Sequence, residues 1–556
     1  MALGIGRDIE AKRWLRCMIW QSAGTSAVWI FWHCMFSGNS NRFWWFVPSA
    51  WSSFWFLVFQ ASQFLFLLGK MFVTTCQERE VASGLDLVSG VWKLTWNVLV
   101  GISWEPEDAR HLSSKISRIR DQIIFTLLCA ISGFFSLVSL ASTELSPVSI
   151  LDIGVRGAWL GFVYACFYLY QKKQILTFPI IQRSFAYSLK IGSSRLIITS
   201  AKLGVLVMPV AEIFSDFIST VRRQSLHEIL ADGLSLFFWQ QIVLVFGAIC
   251  ATLSWELCHH LVQVILTRRH IFAPPLGSTL AETQPSEQLL SILEDVENLS
   301  LVQHLAYLDL CIVAERNVDT WRRTAFFEES GETYKRIISA CLGPLDNLTL
   351  RLANGLEIFE TKSGDFLKQL VLSRGLDKKS ESSSVKEIFR DIQLCSWCAR
   401  TVASLTATSR LEDRYGVAQL SGCNKATLSS LLSCLLVVEV YLGRRSSARG
   451  VGFVGPNSIK WTVPSQGVVA DVVKRKGSPF GKGSSMHKKA YALADILRTS
   501  IYQIIAVFGE EIMVGSISNK GLAIAERDWL SQTTPLYGSH EMHLQKLGLF
   551  LEYRVS

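Results

Sequence analysis

The sequence predicts an all-α fold: a polytopic membrane protein with six transmembrane helices followed by an α-helical cytosolic domain. The mean hydropathy is +0.29 and 18% of the 556 residues are charged, compared with roughly 25% in ordinary soluble domains. Fourteen of the 18 tryptophans precede residue 270, and beyond it apolar residues recur at three- and four-residue spacing, as in helices with one buried face. We therefore expect a membrane domain over residues 1–270 and a soluble helical domain over residues 271–556.

Six segments of the first domain are long and apolar enough to cross a bilayer. About 20 apolar residues span the hydrocarbon layer, and they must be helical because backbone polar groups cannot stay unpaired there. The first segment is interrupted by Gln21 and lacks a signal-peptide cleavage site, so we interpret it as a retained helix. The predicted spans are residues 17–36, 47–69, 122–141, 156–170 with its flanks, 196–214 and 234–254.

Positive charges beside these segments predict the orientation of the chain. Eighteen Lys and Arg residues collect on one side of the membrane, whereas Arg42, Arg156, Arg222 and Arg223 fall on the other. Loops rich in Lys and Arg stay on the cytosolic side. Both termini are therefore expected on the cytosolic side, with short lumenal loops.

The loop between the second and third spans contains one amphipathic segment, residues 85–99. Its apolar residues recur every three or four positions, which predicts a helix with one apolar face. Tryptophan favours the headgroup layer, so one interpretation is a helix that lies in the membrane interface and senses or stabilises curvature. The other is a helix packed on the transmembrane bundle. The membrane-interface candidates are Val88, Trp92, Trp96 and Leu99.

Polar residues inside the predicted spans are candidates for transport, because charged groups are costly in lipid. Lys202 and Glu212 are ten residues apart, about 15 Å along a helix, so they cannot pair within their own segment. Long side chains can extend from a span to the headgroups, which explains the presence of Lys202, Arg156 and Glu256 in the predicted spans. An endoplasmic-reticulum or nuclear-envelope transporter or channel is the alternative function, with the candidate residues Lys202, Glu212, Gln240 and Gln241.

The second domain is predicted to be a set of packed helices. Its run from Leu428 to Leu442 is apolar over fifteen residues. This run is too short for a membrane span and contains Glu439, so we predict the buried central helix of a soluble domain. The helical patterns lie at about 289–308, 335–358, 385–408, 416–443, 486–517 and 540–553.

A basic insertion at about 444–489 follows that helix. It contains ten basic residues and one acid, Asp471, among many Gly and Ser, which predicts a flexible loop. The loop either contacts anionic lipid headgroups or nucleic acid, or is simply solvated; nucleic acid is the less expected partner. The candidate residues are Lys474, Arg475, Lys476, Lys488 and Lys489.

The sequence contains no arrangement typical of catalysis or ligand binding. The glycine pattern that begins at Gly450 runs into Pro456 instead of a helix, so the geometry that cradles phosphates is missing. Cys395 and Cys398 lack the second close pair of a zinc site. We expect no enzyme activity, cofactor, metal or small-molecule substrate.

Segments in the C-terminal part of the sequence resemble a known family. Residues 493–510 and 544–554, with the apolar run around 431–442, resemble the end of the transmembrane nucleoporins of the nuclear-division-cycle (NDC) family, in particular its plant-type members. The order of six spans and a helical domain is also similar. The resemblance implies a non-enzymatic scaffold that tethers the nuclear pore complex to the pore membrane of the nuclear envelope. Such a scaffold supports pore assembly and thereby nucleocytoplasmic transport of protein and mRNA.

The resemblance implies partners as well. Besides the lipid bilayer, these are inner-ring scaffold nucleoporins and the WD-repeat nucleoporin aladin, bound by the pore-side domain. We expect the contacts on two apolar stripes at helical spacing, although such stripes are also typical of a helix face in a core. The partner-binding candidates are Leu493, Leu497, Ile501, Phe508, Leu544, Leu547 and Leu551.

Overall fold

The described part of the protein is helical and forms two compact units. They are Leu3–Arg269, here the membrane unit, and His270–Ser556, here the C-terminal unit. Within the described residues the β-structure is a single isolated bridge between Thr75 and Ile175, so the predicted all-α class is confirmed. A computed structural model describes residues 2–36, 50–77, 106–142, 150–179, 181–220, 234–275, 277–279, 284–295, 300–316, 319–363, 389–447, 485–514 and 534–555.

Six long helices form the described part of the membrane unit. From α2 onward, neighbours in the chain pack on one another, most extensively α3 on α4 and α2 on α3, and α6 also contacts α2, α3 and α4. The helices are α1 (Ala2–Phe36), α2 (Ala50–Val73), α3 (Pro106–Ala141), α4 (Ile150–Tyr170), α5 (Phe185–Thr220) and α6 (Leu234–Leu266).

Seven described helices are long and apolar enough to cross a membrane, so the predicted number of six is approximate. Five lie in the membrane unit and correspond to the second to sixth predicted spans. Helix α1 is not among them, because Gln21 and His33 interrupt its apolar run, yet it exposes Ile19 and Ile30 as a lipid-facing helix would. The seven segments are Trp51–Val73, Ile119–Ala141, Ile150–Tyr170, Phe185–Ile213, Trp239–Leu266, Cys423–Gly443 and His487–Ile512.

Close approach of α3 and α4 depends on glycine. A side chain on Gly161 would collide with the Cys129 carbonyl oxygen, and Gly133 and Gly157 each face the other's carbonyl. Gly157 and Gly161 are four residues apart, the small-residue spacing that lets membrane helices bring their backbones together. The closest helix pair of the unit therefore relies on positions where only glycine fits.

The C-terminal unit is a helical assembly around α13. Helix α13 packs on α10 and α14, while α11 packs on α8, α10 and α14. The unit's described helices are α7 (Glu287–Leu293), α8 (Leu301–Glu315), α9 (Thr320–Thr324), α10 (Glu332–Ser363), α11 (Ile392–Glu412), α12 (Val417–Leu420), α13 (Cys423–Ser447), α14 (Ser485–Val514) and α15 (His540–Val555).

The two membrane-length helices of this unit are built as core helices. In α13, 78% of the most apolar stretch is buried, compared with 33–61% in the five segments of the membrane unit and 50% in α14. Helix α14 exposes Asp495, Arg498, Glu510 and Glu511, and exposed charges are costly in lipid. We interpret both as helices of a water-exposed unit, as predicted for the run 428–442.

The basic insertion is shorter than predicted. Helix α13 extends to Ser447 and α14 begins at Ser485, so Lys488 and Lys489 lie on a helix and not in a loop. The sequence prediction was wrong here because Gly and Ser between the basic residues were taken as a continuous loop signal. Lys474, Arg475 and Lys476 lie outside the described residues.

Candidate functional site

A polar cluster is buried at one end of the membrane unit, where α2 and α4 end. Its members are Lys70, Tyr164, Lys173, Glu256 and His259. Lys173 Nζ lies 2.5 Å from Glu256 Oε1, and the Tyr164 hydroxyl donates to the same oxygen at 3.2 Å. Lys70 Nζ lies 3.2 Å from His259 Nδ1. Lys70 is 1% exposed and Glu256 is 3% exposed, so these groups are removed from solvent.

Helix geometry explains why the cluster forms. Glu256 and His259 are three residues apart on α6, a spacing that places both on one helix face. Lys70 is in the last turn of α2, and Lys173 follows the end of α4. The cluster thus ties the ends of α2 and α4 to α6. Removing one member of a buried ion pair costs about 3–5 kcal/mol, because the other charge is left buried without a partner.

A second set of hydrogen bonds joins α1 to its neighbours. Gln21 donates to the carbonyl oxygen of Gln63 at 2.9 Å and accepts from the Cys258 thiol at 3.2 Å, and Gln63 donates to the Ser136 hydroxyl at 2.9 Å. Such bonds between membrane helices contribute about 0.6–2 kcal/mol each. Gln21, which interrupts the first predicted span, is therefore a packing residue that links α1 to α2 and α6.

Arg13 binds the C-terminal end of α6. Its guanidinium donates to the carbonyl oxygens of Ile265, Leu266 and Arg268 at 2.9, 2.7 and 2.8 Å. The last carbonyls of a helix have no partner within the helix and carry its negative dipole end. A buried arginine satisfies both requirements, and it fixes the start of the unit to its last helix.

The structure brings together two of the residues weighed for transport, Glu212 and Gln241. Glu212 accepts from Gln241 and lies 3.9 Å from Arg156, whereas Lys202 is exposed and Gln240 is partly exposed. The interpretation that Arg156 and Glu256 reach towards headgroups was wrong, because each is paired with a charge on another segment. Sequence reasoning missed these pairs since it considered partners only within one helix.

In the C-terminal unit, an ion pair holds the backbone of Phe272. Arg322 Nη2 lies 2.8 Å from Asp309 Oδ2 and donates to the Phe272 carbonyl oxygen at 3.2 Å. The Phe272 N–H donates to Asp309 Oδ2 at 3.1 Å. Both side chains are almost fully buried. The pair stabilises the first residues of this unit, and its charges are satisfied by each other and by the backbone.

The one acid in the predicted apolar run, Glu439, forms ion pairs with two neighbouring helices. Its carboxylate lies on α13 and accepts from Arg498 on α14 at 2.9 Å and from Lys546 on α15 at 2.6 Å. Glu439 is partly exposed, and such pairs contribute up to about 1 kcal/mol. The acid therefore sits at the edge of the core, where it connects three helices.

Arg336 on α10 forms a surface ion-pair group with α7. Its guanidinium lies 2.6 Å from Glu294 Oε1 and 3.0 Å from Glu287 Oε2. Hydrogen bonding to Arg336 lowers the pKa of the Glu294 carboxyl below its ordinary value, and the two carboxylates raise the pKa of Arg336.

The predicted partner-binding stripes lie mainly in the core of the C-terminal unit. All but Leu544 are buried and pack inside the unit; Leu544 is partly exposed. A partner-binding role for this face stays a prediction. The membrane-interface candidates Val88, Trp92, Trp96 and Leu99 lie outside the described residues.

Sequence reasoning missed several residues whose contacts stabilise each unit internally. Lys70, Arg13 and the Asp309–Arg322 pair carry no motif, since their partners are remote in the chain. The Gly157–Gly161 spacing was the one available signal. Among the described residues, no group of His, Cys, Asp and Glu has a geometry that could hold a metal ion.

These features define a multi-pass α-helical membrane protein that uses its buried polar groups for helix packing. Comparison with known proteins then shows which family part of the chain matches. Residues 153–369 match the family described as nucleoporin protein Ndc1-Nup. The chain is similar to nucleoporin NDC1 of Xenopus laevis, 28% identical over 159 residues, which is 28% of this chain and 20% of the frog protein. It is also similar to nucleoporin NDC1 of Danio rerio, 29% identical over 170 residues, 30% of this chain and 22% of the fish protein.

The chain is thus similar to the NDC1 nucleoporins over part of its length, in agreement with the resemblance found in the sequence. The matched part spans about a fifth of the length of each relative. The family match begins in α4 and continues through α10. It therefore covers membrane helices as well as the beginning of the C-terminal unit.

Proposed function

We propose that the protein is a membrane-anchored scaffold nucleoporin that tethers the nuclear pore complex to the pore membrane. In this role it supports pore assembly and so nucleocytoplasmic transport, and it is not an enzyme. The observation that carries the proposal is the family match over residues 153–369, which includes helices of both units. An anchor needs such a continuous chain between a membrane segment and a water-exposed segment.

The division of chemistry between the two units supports an anchor. The polar groups of the membrane unit are used for contacts between its own helices, as with Glu212, Glu256 and Lys70. The C-terminal unit exposes charged side chains on α14, as expected of a surface that faces water. The partners we propose are the bilayer and other pore proteins, more narrowly the inner-ring scaffold nucleoporins and aladin.

The orientation we propose has both termini on the cytosolic or pore side. Eighteen basic residues flanking the spans on that side, against four on the other, support it. Segment 85–99 is proposed to lie in the membrane interface and the basic insertion to contact anionic lipid headgroups, on the strength of their tryptophans and lysines.

Localisation tests the proposal most directly. The endogenously tagged protein is imaged at super-resolution together with a soluble pore marker. Puncta that coincide with pores around the nuclear rim are the expected result. A smooth reticular signal without enrichment at pores would contradict it.

The transporter alternative has its own test. Leucine substitutions at Lys202, Glu212, Gln240 and Gln241 should leave localisation at pores intact if the protein is a scaffold. If the alternative holds, the same substitutions abolish a solute flux through the reconstituted protein.

A further inference from the structure

A cavity of about 600 Å³ opens at one end of the membrane unit. Its walls are the connection between α4 and α5, the first turns of α5 and the last turns of α6. Since these three helices end here, the cavity lies at the boundary between the hydrocarbon layer and the headgroups. The residues around it include Ile181, Gln182, Arg183, Ile191, His260 and Arg268.

The cavity is positively charged. Arg183 and Arg268 are both exposed, the cavity is lined by no acid, and no ion pair joins either guanidinium to a carboxylate of the described residues. The Arg183 guanidinium lies 5.2 Å from the centroid of the Tyr187 ring, a stacking contact that orients the group without using its N–H donors. Two arginines with free donors are suited to bidentate recognition of a phosphate.

The neutral polar groups of the lining are already used within the protein. Gln263 donates to Thr177 at 2.7 Å, Gln182 donates to the Pro179 carbonyl at 3.0 Å, and a ring nitrogen of His260 lies 3.1 Å from the Ser188 carbonyl oxygen. These bonds hold the connection between α4 and α5 against α6. The cavity is therefore preformed, and the two guanidinium groups are left for a ligand.

The apolar part of the cavity indicates which phosphate compound it takes. Ile181 and Ile191 are 62% and 55% exposed beside the arginines. A free phosphate ion gains nothing from such side chains, whereas an acyl chain covers them. A phospholipid provides both chemistries in one molecule, and basic pockets between membrane helices are suited to anionic headgroups.

We propose that this cavity binds an anionic glycerophospholipid, with its phosphate on Arg183 and Arg268 and an acyl chain along Ile181 and Ile191. The lipid belongs to the leaflet on the side where α4 and α6 end, which is the predicted cytosolic side. This goes beyond the proposed scaffold function and does not depend on it. With this site the protein is not only inserted in a membrane but also selective for the lipid composition of that membrane.

The test uses the full chain in nanodiscs of phosphatidylcholine with a minor fraction of phosphatidylserine. After transfer to neutral detergent, native mass spectrometry measures the phosphatidylserine that stays bound. We expect the double variant R183Q/R268Q to retain about tenfold less of it than the wild type, because two charge contacts to the headgroup are lost. Equal retention by wild type and double variant would overturn the proposal.

Two further variants separate lipid binding from other causes. R195Q removes an exposed arginine of α5 outside the cavity and should retain phosphatidylserine like the wild type. A loss equal to that of the double variant would mean a general charge effect and would also overturn the site.

I191N tests the acyl-chain contact and should weaken lipid retention although both arginines are present. Glycerophosphoserine, the headgroup without acyl chains, should fail to displace the lipid. If it displaces the lipid and I191N has no effect, the site binds soluble phosphates and the lipid proposal is wrong. Size-exclusion profiles of all variants check folding.

Discussion

The membrane unit and the C-terminal unit are each stabilised by a different kind of internal contact. In the membrane unit, buried pairs such as Lys173–Glu256 join helices whose outer faces are apolar. In the C-terminal unit, apolar residues such as Ile501 and Phe508 fill the interior and most ion pairs lie near the surface. Lipid is as apolar as leucine and gives no hydrophobic drive for helices to associate, whereas water does. Placement of polar groups therefore shows which solvent each unit is built for.

The exception to this comparison is the buried pair Asp309–Arg322, and it gives the largest predicted effect. D309A leaves the Arg322 guanidinium buried without its partner, which is expected to destabilise the C-terminal unit by about 3–5 kcal/mol. Thermal unfolding of the full chain in detergent measures this as a lower Tm. D309A combined with R322M should recover part of the loss, since no unpaired charge remains. A wild-type Tm for D309A would show that the pair is not buried in solution.

Truncation of matched isoleucines tests whether the two units face different solvents. Ile501 is fully buried on α14, and I501A is expected to cost about 2–5 kcal/mol because a cavity is left. Ile197 is 58% exposed on α5, so lipid fills the space in I197A and the Tm should hardly change. The same unfolding assay in nanodiscs compares them. Equal, small effects would mean that α14 faces lipid, contrary to its interpretation as a core helix.

A pair of glycines sharpens the comparison of helix packing. G161A places a methyl group against the Cys129 carbonyl and forces α3 and α4 apart, with an expected loss of about 1–3 kcal/mol. Gly548 on α15 has open space around it, and G548A should stabilise by up to about 1 kcal/mol because alanine favours helix. Unfolding in detergent gives both shifts. A neutral G161A would show that α3 and α4 do not approach closely.

The smallest predicted effect is the pH response of the surface pair Glu294–Arg336. The pKa of Glu294 is lowered in the folded state, so its contribution is present above the unfolded value of about 4.3 and is lost as the pH falls through the folded pKa. The group is largely exposed, which limits the contribution of the pair to stability to roughly 0.2–1 kcal/mol. The Tm difference between wild type and R336Q, followed from pH 7 to 3, should shrink at acid pH. A constant difference would exclude this linkage.

The apolar runs of the sequence carry most of the information about the fold. The second to sixth spans and the buried helix around Leu431–Leu442 could be predicted because continuous apolar length and an isolated acid are local features. The partners of Glu256, Gln21 and Arg13 could not, because each contact joins residues far apart in the chain. Periodicity shows which face of a helix is apolar, but it does not show whether protein or a partner covers that face, as the stripe at Leu493–Phe508 illustrates.

The contact between Arg13 and the end of α6 has a consequence for biosynthesis. Its acceptors lie 252 to 255 residues further along the chain, and chains grow at about 5–20 residues per second, so Arg13 waits roughly 10–50 s for them. During that interval α1 is in the membrane without this contact. Completion of the anchor is thereby timed to the end of α6 synthesis, immediately before translation of the C-terminal unit begins.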